Sequence, residues 1–230
     1  MDSSVPSSLE RPTLSAHVAR HILELVTRER LRPGDRVPSE VQIGRDLQVS
    51  RGSVREAYRS LAALGILEIE SGRRPRLRMI CPKALVQVFD YALNTAQVEV
   101  AHVLETRRAI ELQTAQLAAR HATEAQRRTL RDLMAQMRSA AMDHALRVAS
   151  DIAIHSAIAE AGGNPLNVLL LSALRLPLQS SARTHLDENR RSESELISVI
   201  EAHETLVARI CAGDPLGAAS AMSHHFDLSA

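Results

Sequence analysis

The segment Val49-Ser-Arg-Gly-Ser-Val-Arg-Glu-Ala-Tyr-Arg-Ser-Leu-Ala-Ala-Leu-Gly65 restricts the possible folds more than any other. Ser50 is a natural N-cap, because its hydroxyl can accept a bond from a free N–H of the first helical turn. After it, Val54, Ala57, Tyr58, Leu61 and Leu64 recur at helical spacing, which predicts one buried face. Arg51, Ser53, Arg55 and Arg59 fall elsewhere on the helix. Cations near a helix N-terminus oppose its macrodipole, so helix stability does not explain them. A polyanion met by the front of the helix does, as when a recognition helix enters a major groove. The plainer alternative is a solvated basic face.

The flanking sequence extends this reading. Residues 1–12 have Ser and Pro without periodicity and are expected to be a disordered tail. Residues 13–30 read as a helix with Leu14, Val18, Ile22, Leu25 and Val26 on one side. A Pro-Gly turn follows, then Ser39 and Gln42 at capping-box spacing, then a short helix with Ile43 and Leu47 inward. Two helices separated only by Gln48, Val49 and Ser50 predict a helix-turn-helix. Past Gly65 the apolar spacing changes from helical to alternating: Leu67 and Ile69, then Leu77 and Met79. That predicts a β-hairpin. Its loop and return strand carry Arg73, Arg74, Arg76 and Arg78, with Gly72 at the turn, so it reads as a basic wing.

From about residue 84 the pattern is helical, with helices expected near 84–96, 98–120, 123–142, 145–161, 165–186, 193–212 and 214–227. Pro177 is expected to kink or break its helix. The fold class is therefore mainly α: a winged helix-turn-helix over 13–80, a linker at 81–86, and an all-helical bundle over 87–230. Charge divides along the same line, with a net +4 over residues 1–80 and −3 over 81–230. A basic module that meets nucleic acid, joined to one that does not, fits that asymmetry. No apolar run is long enough to span a bilayer, and the polar N-terminus lacks the apolar core of a secretory signal. The expected location is the cytoplasm, with Cys81 and Cys211 as reduced thiols.

The bundle places polar side chains on apolar arcs. At about 100° per residue, Asp151 and His155 fall on the buried face marked by Val148, Ile152 and Ile158. His203 falls among Val199, Ile200, Leu206 and Val207, and His225 among Ala218, Ala221 and Met222. A single inward histidine is ordinarily a hydrogen-bonded core residue. Three with an aspartate all need partners, and one divalent ion supplies them together. The donor set suits Zn, Ni, Co, Mn or Fe. Arg107 and Glu111 share another inward face, as an internal ion pair or with Arg107 turned to an anionic small molecule. A metal-dependent hydrolase remains open, although no general base accompanies the set; Glu204 lies about 100° round its helix from His203.

Arg32-Pro-Gly-Asp-Arg-Val-Pro-Ser-Glu40 together with residues 49–57 and Leu61-Ala-Ala-Leu-Gly65 resembles the winged helix of GntR-family bacterial transcription regulators. Glu105-Thr-Arg107, Glu111, Asp151-Ile-Ala-Ile-His155, Gly163-Asn-Pro165, Glu201-Ala-His203 and Met222-Ser-His-His225 are similar to the FCD-type ligand-binding domain of the FadR-like branch. The resemblance implies a homodimer on an inverted-repeat DNA operator. It implies that Arg51 and Arg55 read bases, assisted by Ser53 and Gly72. It also implies a divalent transition metal on Asp151, His155, His203 and His225, flooring a pocket for a small carboxylate effector near Arg107. Asn164 is expected as a helix cap or an effector contact. Three positions depart from the pattern: Val41 where many members carry Arg, Gln48 where Gly is usual, and Ile154 where Phe is common.

Overall fold

The computed structural model describes residues 13–140, 143–180 and 192–229. The chain divides into two compact units, Met1–Ala84 and Leu85–Ala230. The expected tail over residues 1–12 lies outside the described residues.

In the first unit, α1 (Leu14–Arg28), α2 (Glu40–Asp46) and α3 (Arg51–Ala63) pack around Val18, Ile22, Ile43, Val54, Tyr58 and Leu61. Each helix starts on a hydroxyl cap. Thr13 accepts from Ala16 N–H, Ser39 from Gln42 N–H and Ser50 from Ser53 N–H. The turn into α3 forces Gln48 to a φ of 54°, the left-handed region that strains a side-chain-bearing residue. Gly65, at φ 74°, ends α3 without that strain. Leu64 is 57% exposed rather than inward, because the helix terminates just before it can return to the core.

The wing is short. β1 (Leu67–Glu68) and β2 (Arg76–Leu77) pair antiparallel, with Leu67 opposite Leu77. On its other edge β2 bonds to residues 34–37: Gly34 N–H donates to the Leu77 carbonyl, and Leu77 N–H to that of Asp35. Ile69 and Met79, expected on the inner face, are exposed because the ladder ends before reaching them.

Helix resumes at Lys83, across the division between the units, so residues 83–86 of the expected linker already belong to α4 (Lys83–Asn94). Then come α5 (Val100–His121), α6 (Glu124–Ser139), α7 (His144–Ala161), α8 (Pro165–Ser180), α9 (Glu193–Cys211) and α10 (Pro215–Ser229). The expected extensions of two helices to 142 and 186 fall outside the described residues. Helix α8 continues through Pro177; the missing N–H removes one ladder bond while neighbouring ones persist. Ala115, Ala118 and Ala119 let α10 approach α5 closely, and α10 also packs on α9. Leu130, Met137, Ile154, Ile158, Leu206, Ile210 and Met222 fill the centre. Tight Ser/Thr/Asp caps fix the helix starts: Thr123 on α6, Asp143 on α7, Ser192 on α9. The phases of α7 and α9 are thereby set, and with them the directions of His155 and His203.

Candidate functional site

On the first unit, burial of Val54, Ala57, Tyr58 and Leu61 turns Arg51, Arg55 and Arg59 to solvent. Ser53 is half-buried, and its hydroxyl lies 2.9 Å from that of the cap Ser50. The wing tip carries exposed Gly72, Arg73 and Arg74. Gly72 has a φ of 75° and open space where a Cβ would stand. A groove of about 470 Å³ runs between Arg36, Glu68, Glu70 and Arg73, Arg74, Arg76. Two features were not legible in the sequence. Arg36 joins the wing through a bridge to Arg76, and Arg76 donates to the Gly34 carbonyl at 2.6 Å. Arg73 pairs with Glu70 at 2.5 Å, so the wing's positive charge is partly offset.

In the second unit, Asp151 and His155 of α7, His203 of α9 and His225 of α10 converge. One ligand atom from each lies within 4.8 Å of all the others. Ring centroids are 5.4 Å apart for His155 and His203, 4.9 Å for His155 and His225, and 4.2 Å for His203 and His225. The rings are buried, while the Asp151 side chain is 38% exposed and borders a cavity of about 50 Å³ with Met137, Val148, Leu196 and Val199.

The hydrogen bonds differ from ring to ring. His203 Nδ1 bonds the Val199 carbonyl at 2.8 Å, and its Nε2 faces Asp151 Oδ1 at 3.0 Å. His155 Nδ1 is taken by Glu111, leaving Nε2 3.7 Å from Asp151. His155 Nε2 and His225 Nδ1 are buried without a hydrogen-bond partner among the described residues. A buried polar nitrogen left unpaired is costly, and a cation accepting its lone pair removes the cost. The residues therefore fit a metal: unpartnered nitrogens on His155 and His225, His203 Nε2 set against the Asp151 carboxylate, and outer partners that orient His155 and His203.

Electrostatics favour ionised carboxylates and a neutral His225, while Asp151 draws a proton toward His203, which an incoming cation would displace. Burial alone would raise the Asp151 pKa, but His155, His203 and His225 outweigh it and hold the carboxyl well below its usual range. Burial likewise opposes ionisation of Glu111, yet His155, Arg107 and Arg175 keep it well below the usual carboxylate range. Burial would lower the His203 pKa, but its bond to Asp151 raises it. Burial, reinforced by His155 and His203, pushes His225 down to about 2, the neutral form a metal ligand requires.

Arg107 donates from Nε at 3.0 Å and from one terminal nitrogen at 2.6 Å to Glu111 Oε1, and its guanidinium stands 6.0 Å from the Phe226 ring. The internal ion pair is thus real, and it leaves the other terminal nitrogen uncommitted within the described residues. Asn164 Oδ1 accepts from Leu166 N–H at 3.0 Å, capping α8. Sequence reading missed Arg175 of α8. It is only 9% exposed, donates to the Ile152 carbonyl at 2.8 Å and to Ser156 Oγ at 3.3 Å, and bears electrostatically on Glu111 and Asp151. Periodicity offered no sign of it, since one Arg in an otherwise apolar helix reads as a surface interruption.

The sequence matches two family patterns. Residues 14–76 match the gntR family of bacterial regulatory proteins, and residues 102–228 match the FCD domain. The HTH-type transcriptional regulator LutR of Bacillus subtilis (strain 168) is 31% identical over 196 residues, covering 85% of this chain and 90% of that one. The HTH-type transcriptional repressor NanR of Salmonella newport (strain SL254) is 28% identical over 222 residues, covering 95% and 85%. The solved structure of Streptococcus agalactiae GntR shares the fold, at a TM-score of 0.67 and 24% identity over 94% of this chain and 98% of that one. With a helix-turn-helix and wing at one end, a histidine-lined bundle at the other and these relatives spanning both, the chain belongs to the GntR family of transcriptional regulators with a C-terminal FCD domain.

Proposed function

We propose that this regulator is a ligand-responsive repressor, acting as a homodimer on an inverted-repeat operator and controlled by a small carboxylate metabolite at a metal site. The observation that carries the reading is the pair of buried, unpartnered nitrogens on His155 and His225 beside Asp151 and His203. Asp151, His155, His203 and His225 would hold a divalent ion, and Zn, Ni, Co, Mn and Fe all suit the set. A bound ion supplies a Lewis-acid anchor for a carboxylate. Arg107 offers its uncommitted terminal nitrogen as a second contact, and Asn164 a carboxamide at the start of α8.

On DNA, Arg51 and Arg55 read bases in the major groove, assisted by Ser53 and Gly72. Arg59, Arg73 and Arg74 meet phosphates. A second copy suits α4, none of whose residues is buried and whose Val88 and Tyr91 stand exposed. Repression accords with the Salmonella relative, a transcriptional repressor. The effector must favour the DNA-incompetent state, by roughly 10⁴-fold for a near-complete switch. A cytoplasmic location follows from the DNA target. No helix among the described residues is long and apolar enough to cross a membrane.

The test is calorimetric titration of metal-stripped protein with each of the five ions, followed by thermal-shift measurements with hydroxy acids and sugar acids. Saturable uptake of one ion per chain is expected. Acids should then raise the melting temperature only in metal-loaded protein, scaling as RT ln(1 + [L]/Kd). Absence of saturable uptake would sink the metal reading. Equal shifts with and without the ion would detach the effector from it.

A further inference from the structure

An acidic residue stands among the cations of the DNA-facing unit. Glu40 opens α2, and its Oε2 lies 3.6 Å from Nε of Arg55 on α3. Both side chains are accessible, at 35% and 61%. Tyr58 fixes the two helices at this point: its hydroxyl donates to the Pro38 carbonyl at 2.5 Å, just ahead of the α2 cap. Tyr58 is fully buried, so the carboxylate's backbone is tied to the core of α3.

Stability does not account for the pair, because exposed ion pairs contribute little. A carboxylate close to where a polyanion docks also weakens binding to every sequence alike. Its geometry gives the reason to have it. Glu40 faces Nε, the side edge of the guanidinium, and leaves the two terminal nitrogens free. Those two nitrogens form the fork that matches O6 and N7 of guanine. Arg51 and Arg59 have no ion-pair partner among the described residues. Of the three arginines along the front of α3, Arg55 is therefore the one with a carboxylate beside its guanidinium among the described residues.

We propose that Glu40 is a positioning residue for base recognition, which aims Arg55 and raises sequence selectivity while lowering affinity for DNA in general. The proposal rests on the reading of Arg55 as a base contact. Pre-ordering one long side chain should alter selectivity roughly two- to tenfold.

The full-length wild-type protein first enriches a duplex from a randomised pool. Affinities are then measured at one salt concentration for that duplex, for versions with each guanine replaced, and for an unrelated duplex. The proteins compared are wild type, Glu40→Gln, Glu40→Ala, Arg55→Ala and the Glu40→Ala/Arg55→Ala double variant, each with its melting temperature. Both Glu40 variants should bind the unrelated duplex more tightly and lose two- to tenfold selectivity at one guanine. In the Arg55→Ala background, removing Glu40 should change selectivity no further. Unchanged selectivity at every guanine, or the same loss with and without Arg55, would overturn the proposal and leave Glu40 as a helix-end residue. Failure of the wild type to enrich any duplex would overturn the base-reading assignment itself, before any variant is compared.

Discussion

The two units carry their chemistry on opposite sides of their cores. In the first, apolar residues face inward and Arg51, Arg55, Arg59, Arg73 and Arg74 face out. In the second, His155, His203, His225, Glu111 and Arg175 lie among the apolar residues, inside. The difference suits the two proposed targets. A duplex is too large to enclose, so the protein meets it with a surface whose charges remain hydrated until contact. A single ion can be enclosed, and enclosure strengthens every interaction with it. Changes at an exposed site should therefore alter binding with little effect on stability, whereas changes at the enclosed site should alter both.

The largest expected effect is at His203, which is completely buried. His203→Ala should weaken zinc binding, measured by calorimetry, well beyond the roughly 10–100-fold that loss of an outer partner costs. DNA affinity of the metal-free protein should stay unchanged; a parallel loss would mean that the two units do not behave separately. Next is Glu111→Gln, which removes the charge behind His155 and the partner of Arg107. Zinc affinity should fall roughly 10–100-fold. Stability should also fall by about 3–5 kcal/mol, because a largely buried guanidinium is left unpaired. A change in affinity without one in melting temperature would count against the enclosed-site description. The same enclosure predicts an acid limb in the metal-free protein. Asp151 and Glu111 have pKa values lowered by folding, so their contribution is complete above about pH 4.5 and is withdrawn as pH falls from there. Thermal melts from pH 6 to pH 3 should steepen below that point, and Asp151→Asn should flatten the curve.

Smaller effects belong to the exposed side. Arg74→Ala should reduce the slope of log K against log salt by about 0.9 if the residue meets one phosphate, with the melting temperature unchanged. Smallest is Gln48→Gly. Relief of a left-handed φ gains about 1–2 kcal/mol, and the added freedom of glycine in the unfolded chain offsets about 0.5–1 of it. A rise of a few degrees in melting temperature is expected, and a fall would show that the Gln48 side chain contributes something its backbone conceals.

The amino-acid sequence by itself determined the elements of the first unit, because there the periodic rule and the functional rule agree. Val54, Ala57, Tyr58 and Leu61 name the core, and the arginines that remain on α3 are left at the surface. Helix phase also sufficed to turn Asp151, His155, His203 and His225 inward. Periodicity fails where an element ends: Leu64, Ile69 and Met79 keep the pattern after the structure has stopped using it. Only the tertiary structure decided what the inward groups touch. Glu111 reaches from α5 to His155 on α7, and Arg175 from α8 to the carbonyl of Ile152. The reason is physical: helical spacing fixes an angle about one axis, whereas a hydrogen bond between helices depends on the distance and crossing of two axes, set by the alanines and caps that hold them.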